Sequence, residues 1–255
     1  MDFAGLVGYR FADFTWSFTA ERAEALQRAI GNQAQDGLPP TLAFSADMDQ
    51  RVVDRLFALT GLAAHQLLHG EQHFRYHRPL QPGQPYRSSA RLSEVTAKAR
   101  FSLLSKQTRL FAADGGLACE MLSVYVVMPR PAAPSDGPRL AAGGGWRLAQ
   151  AMPAISREQI AAFARASGDD NRVHLDSAVA RRAGHADVFA QGMLGMGALG
   201  SLLDASRLRR FGVRFVRPMA LGDRPMLYQA GGADCRLALT NHQGDIRIHG
   251  YAESD

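Results

Sequence analysis

The stretch that decides the fold of this chain reads Gly192-Met193-Leu194-Gly195-Met196-Gly197-Ala198-Leu199-Gly200-Ser201-Leu202-Leu203. Its apolar residues lie on all sides of a helix axis, so a helix over about 192–205 must be buried on most sides. Each interior glycine costs such a helix about 1 kcal/mol relative to alanine, but it also lets the backbone of a sheet approach the helix closely. A curved antiparallel sheet wrapped around a buried helix satisfies both observations. The stretch therefore predicts an α+β fold with a central helix.

The rest of the chain contains a second, divergent copy of the same layout. Gly8-Tyr9-Arg10 resembles Gly145-Trp146-Arg147 at an offset of 137 residues, and residues 74–80 resemble residues 213–219 at an offset of 139. Two long copies indicate a duplicated domain rather than a solenoid. The predicted first helices span about 19–28 and 156–166 and begin with capping signals at Thr19 and Ser156; Ser156 and Gln159 form a capping-box pattern. The predicted second helices span about 46–60 and 192–205.

Composition divides the chain into two units. Residues 131–145 contain three prolines and end on three consecutive glycines, which is typical of a flexible boundary. We therefore expect an N-terminal unit at residues 1–130, a linker at residues 131–145 and a C-terminal unit at residues 146–255. Each unit should be an antiparallel sheet wrapped around a central helix.

The composition excludes several classes of protein. Of 255 residues, 46% are hydrophobic and 21% charged, as in ordinary globular proteins and unlike disordered, collagen-like or coiled-coil chains. The longest nearly apolar stretch, residues 188–203, is shorter than the roughly 20 residues that span a bilayer. The first residues lack the basic and apolar segments of a signal peptide, and two cysteines cannot form a disulfide framework. These features predict a cytoplasmic protein that does not bind membranes.

The net charge of +5 comes mostly from arginine. A nucleic-acid-binding protein would concentrate this charge in a patch, whereas here the arginines are scattered and the densest cluster lies at residues 207–217. We therefore expect no nucleic-acid partner. The planar guanidinium suits phosphate and carboxylate groups, so a phosphorylated small molecule is at least as good a candidate.

A dense group of polar residues follows the predicted helix at 156–166. Asp169 and His174 are five residues apart, and a looping segment can bring their side chains to one point. A carboxylate and an imidazole that share a water form an acid/base pair near neutral pH. The alternative is a helix end followed by a solvated turn. Farther along, Gly192 would begin the central helix, where unpaired N–H groups can stabilise an oxyanion.

These motifs together resemble the MaoC-like dehydratases, which are (R)-specific enoyl-CoA hydratases of hotdog fold. The resemblance rests on residues 167–176, on Ala183-Gly184 and on Gln191-Gly192-Met193, and in the first copy on residues 68–80. It covers nearly the whole chain and implies a double hotdog. It further implies a hydro-lyase of fatty acid metabolism that hydrates trans-2-enoyl-CoA, or acyl carrier thioesters, without a cofactor or metal. A homodimer or larger homo-oligomer is expected.

Carried onto this sequence, the resemblance implies a role for each site residue. Asp169 and His174 would activate a water, Asn171 would brace their loop, and the Gly192 N–H would polarise the thioester carbonyl. Arg172 replaces a proline of the family motif and Gln191 replaces a histidine, so both become candidate substrate contacts. Independently of the resemblance, the guanidinium groups of Arg209, Arg210 and Arg217 could bind the phosphates of coenzyme A; a solvated basic face is at least as good an interpretation.

The first copy departs further from the motif. Asn32 and Gly37 stand at the positions of Asp169 and His174, and neither an amide nor a glycine can act as a base. The N-terminal unit is therefore predicted to be inactive and to shape the acyl pocket.

Two other functions remain open. A hotdog thioesterase would place a carboxylate on the central helix, and residues 192–203 contain none. A non-catalytic acyl-thioester-binding protein is supported only by Arg172 and Gln191. Histidines recur every four residues at His65, His69, His73 and His77. On a helix such a repeat could bind a metal, but the residues around it favour a strand. Acyl chain length, branching, a second carboxylate and the carrier are left open.

Overall fold

The computed structural model of the protein describes residues 3–31, 37–63, 66–128, 137–141 and 143–255. Within these residues no helix is long and apolar enough to cross a membrane. The elements of the N-terminal unit are β1 (Phe14–Trp16), α1 (Ala20–Ile30), α2 (Ser45–Asp49), α3 (Val52–Thr60), β2 (Leu67–Tyr76), β3 (Tyr86–Ala97), β4 (Ser102–Phe111) and β5 (Leu117–Val127).

The C-terminal unit follows the same plan with several short additions. Its elements are β6 (Arg147–Ala151), α4 (Arg157–Ser167), α5 (Arg172–Leu175), α6 (Ser177–Arg182), β7 (Phe189–Ala190), α7 (Gly192–Gly200), β8 (Leu208–Phe215), β9 (Met219–Ala220), β10 (Met226–Gly231), β11 (Cys235–Thr240) and β12 (Ile246–Ser254). Two 3₁₀ turns, Ala4–Leu6 and Leu42–Phe44, complete the described elements.

Ten strands form one antiparallel sheet in the order β1-β3-β4-β5-β2-β8-β12-β11-β10-β6. The second half of this order is the first half reversed, so the two units are related by a pseudo-two-fold axis. His73 of β2 lies directly opposite Gly212 of β8, and these residues are 139 positions apart, which is the offset between the two copies. The fold is the α+β double hotdog that the sequence predicts, with its two antiparallel sheets joined edge to edge.

The central helix of the C-terminal unit is buried on nearly every side, as predicted. Every residue of α7 after Gly192 is buried. A Cβ on Gly195 would lie 2.7 Å from Met219 Cε, and a Cβ on Gly197 would lie 2.7 Å from Ile30 Cδ1. The glycines therefore admit side chains of other elements, whereas the sequence suggested close approach of the sheet backbone. The helix ends at Gly200 instead of continuing to residue 205.

The corresponding segment of the N-terminal unit differs from the expected single helix over 46–60. It forms two helices, α2 and α3, separated at Gln50 and Arg51. Arg51 has a left-handed backbone with φ of 56°, a conformation that costs a residue with a side chain roughly 1 kcal/mol. Four of the five residues of α2 are buried, whereas α3 buries only Val52 and Leu56. The chain turns at Arg51 so that α3 presents one face to the core and one to solvent.

The first helix of each unit begins at the predicted cap. Thr19 Oγ1 accepts a hydrogen bond of 3.2 Å from the Arg22 N–H, and Ser156 Oγ accepts one of 3.2 Å from the Gln159 N–H. The Gln159 side chain does not complete the expected capping box, because its Nε2 donates to the Ala29 carbonyl of the other unit at 3.1 Å. This bond helps to hold α4 against α1.

Candidate active site

A cavity of about 730 Å³ lies between the two units. The C-terminal unit supplies the loop after α4, α5 and the first turn of α7. The N-terminal unit supplies a largely apolar wall: Phe44, Met48, Val53, Phe57, Leu62 and Leu67. Polar residues of both units also line the cavity: Asp47, Arg51, Asp54, His69 and Tyr125 from the N-terminal unit, and Asp169, Asn171, Arg172 and His174 from the C-terminal unit.

The loop after α4 places Asp169 and His174 in the wall of this cavity. Gly168 ends α4 in a left-handed conformation with φ of 83°, which glycine adopts at little cost. The Asp169 N–H donates to Ser167 Oγ at 3.1 Å. Asn171 Oδ1 accepts from the Val173 N–H at 3.2 Å and so caps α5. These local bonds bring Asp169 and His174 to the same cavity, but His174 lies on the short helix α5 rather than on the looping segment that the sequence suggested.

A contact with the backbone carbonyl of Phe189 orients the imidazole of His174. Nδ1 lies 2.9 Å from the carbonyl oxygen of Phe189, and the Phe189 ring packs against the imidazole at 4.6 Å. A carbonyl oxygen only accepts hydrogen bonds, so Nδ1 carries the proton in the neutral ring. Nε2 then holds a lone pair and is the atom that can accept a proton from a bound water.

The carboxyl of Asp169 is deeply placed, with part of its surface open to the cavity. Burial raises the pKa of this carboxyl above its ordinary value, while the charge of nearby His174 and the Asn171 N–H oppose the rise. The protonated form of Asp169 is thus accessible at a higher pH than for a solvated aspartate. A carboxyl that can both hold and release a proton suits acid/base work.

Gly192 is the first residue of α7, so its N–H has no acceptor within the helix. A Cβ at this position would lie 3.0 Å from the ring of Phe215. Only glycine therefore leaves this contact relaxed. The partial positive charge of the helix N-terminus and the free N–H together make a site for a carbonyl oxygen that gains negative charge.

The two positions that depart from the family motif lie in different surroundings. Arg172 lines the cavity and forms an ion pair of 2.6 Å with Asp176. Arg172 is the first residue of α5, which is a position that proline favours in helices. Gln191 is fully buried and lies outside the cavity wall. Its Nε2 makes long hydrogen bonds to the carbonyls of Ile160 and Asp169.

Of the arginines suggested by the sequence, Arg217 lines the cavity. Arg209 and Arg210 instead pair with Asp255 and Glu253 at the end of β12, away from the cavity. His185, which the sequence analysis did not single out, also lines the cavity. Burial and then the charge of His174 lower the pKa of His185, which keeps its imidazole neutral.

Two arginines of the N-terminal unit hold the loop that carries Asp169. Arg22 Nε donates to the Ala166 carbonyl at 2.9 Å, and the same side chain forms an ion pair of 2.6 Å with Asp49. Arg51 Nη1 donates to both carboxylate oxygens of Asp170. Arg22 and Ala166, like Arg51 and Asp170, are more than 100 residues apart in the chain, so no local spacing could have predicted these two contacts.

A buried ion pair lies beside the cavity in the N-terminal unit. Lys106 and Asp47 are fully buried and bonded to each other, and Thr108 Oγ1 donates to Asp47 Oδ1 at 2.8 Å. Sequence analysis missed this group, although Lys106 stands on the buried face of β4 together with Leu104, Thr108 and Leu110. That alternation was the available signal.

No group of three or more His, Cys, Asp or Glu side chains is arranged to hold a metal in the described part of the chain. His69 and His73 lie on β2, so the strand interpretation of the histidine repeat is confirmed there, while His65 falls outside the described residues. In the first copy, Asn32 and Gly37 stand at the positions of Asp169 and His174. Gly37 is among the residues that the structure describes, whereas Asn32 lies outside them.

Two known families match different parts of the chain. Residues 7–121 match the family described as "FAS1-like, dehydratase domain region", and residues 144–228 match the family described as "MaoC like domain". No curated protein sequence matches the chain significantly.

Solved structures share the whole fold. A MaoC-like dehydratase from Phytophthora capsici is 18% identical with a TM-score of 0.79, and covers 98% of this chain and 96% of its own. HtdX of Mycobacterium tuberculosis is 20% identical with a TM-score of 0.78, and covers 96% and 100%. A conserved hypothetical protein of M. tuberculosis, described as having a double hotdog fold, is 13% identical with a TM-score of 0.65, and covers 98% and 96%.

Proposed function

Because residues 144–228 match a MaoC-like domain and the whole fold is shared with a MaoC-like dehydratase, we propose that this chain is a hydro-lyase that converts trans-2-enoyl-CoA reversibly into (R)-3-hydroxyacyl-CoA. The observation that carries the proposal is that Asp169, His174 and the first residue of α7, Gly192, line one cavity. A water activator and an oxyanion donor are the two elements that hydration of an enoyl thioester needs.

In the proposed reaction the thioester oxygen accepts a hydrogen bond from the Gly192 N–H. Asp169 and His174 Nε2 hold a water, whose oxygen forms a bond to C3 while the π electrons of the double bond shift toward the carbonyl. The negative charge that develops on the thioester oxygen is stabilised by the helix N-terminus. The acid/base pair takes one proton from the water and returns one to C2, so protons balance and no cofactor is needed.

The N-terminal unit takes the role of an acyl pocket in this proposal. Its apolar residues line the cavity, and Gly37 offers no side chain at the position that matches His174. One active site per chain, at the C-terminal unit, follows from this division.

The nucleotide end of coenzyme A would be bound by arginine. Arg217 and Arg172 line the same cavity, and a guanidinium binds phosphate through two parallel donors. We place the reaction in cytoplasmic fatty acid metabolism and expect a homo-oligomer.

A thioesterase is the second candidate, and the structure gives it less support. α7 carries no carboxylate. Asp47 lies on α2 of the other unit, but both of its oxygens are engaged by Lys106 and Thr108. A carboxylate held in this way is not available to attack a thioester or to activate a water.

The proposal is tested with purified protein and crotonyl-CoA, a medium-chain 2-enoyl-CoA and mesaconyl-CoA. We expect loss of the conjugated enoyl-thioester absorbance and formation of the (R)-3-hydroxyacyl product, resolved by chiral chromatography. Release of free thiol without hydration would identify a thioesterase. A folded protein that binds acyl-CoA but turns over none of the esters would support the non-catalytic interpretation.

A further inference from the structure

Two buried polar atoms in the N-terminal wall of the cavity lack a hydrogen-bond partner. Within the described part of the chain, neither Tyr125 Oη nor His69 Nε2 has a hydrogen-bond partner within 3.5 Å. The side chains of Ser123 and Gln72 are close enough to affect the pKa of Tyr125 and of His69, respectively. The side chain of Tyr125 is only 3% exposed, and both residues line the cavity. Buried polar groups in folded proteins are almost always hydrogen-bonded, so two orphans side by side indicate a missing partner.

The two orphans belong to one aromatic cluster that continues from the oxyanion site. The Phe215 ring would touch a Cβ at Gly192 at 3.0 Å. The centroid of the same ring lies 4.9 Å from that of His69, which in turn stacks on Tyr125 at 5.2 Å. His69 therefore lies next to Phe215, and Tyr125 lies one ring farther from Gly192 in the wall of the same cavity. In the proposed function the acyl chain runs along this wall.

The surroundings of Tyr125 and His69 favour a neutral ligand group over a charged one. Burial is the main cause that lowers the pKa of His69 to about 3, so the imidazole is neutral. The nearby cation, Lys106, is already paired with Asp47. No unpaired positive charge among the described residues is left here to receive a carboxylate, and burying an unpaired charge is strongly unfavourable.

We propose that the cavity selects acyl chains that carry a hydroxyl group, held between Tyr125 Oη and His69 Nε2. A hydroxyl donates one hydrogen bond and accepts others, so it can satisfy a phenol and a neutral imidazole together. An unsubstituted chain leaves both atoms unpaired. This inference deepens the proposed function, because it names the substrate class of the same site.

Binding tests the inference independently of turnover. Calorimetry would compare a saturated acyl-CoA with esters of the same length that carry a hydroxyl at successive carbons. We expect one hydroxylated ester to bind about tenfold more tightly than its unsubstituted counterpart. In Tyr125→Phe and in His69→Phe, which keep the aromatic stack, the two esters should bind with about equal affinity.

Tyr76→Phe is the matched control. The Tyr76 hydroxyl already donates to the Pro40 carbonyl at 2.9 Å and lies outside the cavity wall, so this variant should keep the preference. In turnover, the hydroxylated 2-enoyl-CoA should show a lower KM with a similar kcat.

Three results would overturn the inference. They are equal binding of all esters by the wild type, tighter binding of a dicarboxylic mono-CoA ester, or a preference that survives in both cavity variants. Hydration without any hydroxyl preference would leave the proposed function intact. Selective binding without hydration would contradict the proposed hydratase activity but support the hydroxyl-selective pocket.

Discussion

Arg51 of the N-terminal unit binds Asp170 of the C-terminal unit, with Nη1 2.8 Å and 2.9 Å from the two carboxylate oxygens. Asp170 is the residue next to Asp169, so this contact ties the N-terminal unit to the loop that carries Asp169. Arg51 also adopts a left-handed backbone with φ of 56°. A conformation that is unfavourable for arginine is thus maintained at the point where the two units meet beside the cavity.

Removal of this contact should lower activity more than stability. Arg51→Ala is expected to reduce kcat/KM for an enoyl-CoA about tenfold, because small displacements of reacting groups have large effects on rate. The exposed ion pair itself contributes about 0–1 kcal/mol. Arg55→Ala, one turn along α3, is the control. A variant Arg51→Ala with unchanged kinetics would show that Asp170 does not position Asp169.

The backbone strain at Arg51 can be separated from its ion pair. Arg51→Gly should lose activity as Arg51→Ala does, but it should be about 1 kcal/mol more stable than the alanine variant, since glycine adopts positive φ freely. Urea unfolding of the two variants measures the difference. Equal stabilities would mean that Arg51 imposes no strain.

Asp169 should destabilise the protein at neutral pH. Its pKa is raised in the folded state, chiefly by burial, so the folded state binds this proton more tightly than the unfolded state does. Below the unfolded pKa of about 4 both states are protonated and there is no penalty. As the pH rises through the folded pKa, the ionised carboxylate increasingly favours unfolding.

Asp169→Asn is therefore expected to raise the free energy of unfolding at pH near 8, and this gain should shrink as the pH approaches about 4. Asp204→Asn provides a control of opposite sign, because a hydrogen bond from Ser206 lowers the pKa of Asp204. Loss of the Asp204 carboxylate should lower the free energy of unfolding at pH values above the pKa that this group has in the unfolded state. A destabilised Asp169→Asn at pH 8 would contradict the burial argument.

Gly192→Ala should disturb the oxyanion site. The added Cβ would lie 3.0 Å from the Phe215 ring, and such overpacking typically costs about 1–3 kcal/mol. We expect a lower melting temperature and a fall in kcat of tenfold or more, roughly the scale of a lost oxyanion donor. Gly232→Ala, where a Cβ meets nothing within 4 Å, should change neither. An active, stable Gly192→Ala would exclude this amide from the reaction.

Arg217 should act on the nucleotide part of the substrate. Arg217→Ala is expected to raise KM for a CoA thioester about fivefold to tenfold with little change in kcat, and to have no effect on the matching pantetheine thioester, which lacks the nucleotide phosphates. Arg209→Ala, on an arginine paired with Asp255, is the control. An equal effect on both thioesters would place Arg217 at the acyl end instead.

The sequence predicted the features that local pattern and repetition encode. The glycine-rich apolar segment at residues 192–203 predicted a buried helix. The offset of 139 residues predicted a duplicated domain, and the two copies meet where β2 pairs with β8. The capping residues Thr19 and Ser156 were identified correctly. These features depend on neighbours in the chain or on a repeat that is visible in the letters.

Features that depend on contacts between the units could not be predicted in this way. The break at Arg51 follows from packing of α2 and α3 and from an ion pair to a residue 119 positions away. Tyr125 looked like an ordinary residue of an alternating strand, and only the fold shows that its hydroxyl lacks a partner. Gln191 looked like a substrate contact, but the structure places it behind the loop of Asp169.

The most direct measurement compares hydration of a 2-enoyl-CoA by the wild type with hydration by Asp169→Asn and His174→Ala. Two exposed replacements, Asp204→Asn and His249→Ala, serve as matched controls. If the pair activates water, both site variants should fold and lose activity by on the order of 10²–10⁴-fold, while the controls stay near wild type. Retention of wild-type rates by either folded site variant would contradict the account.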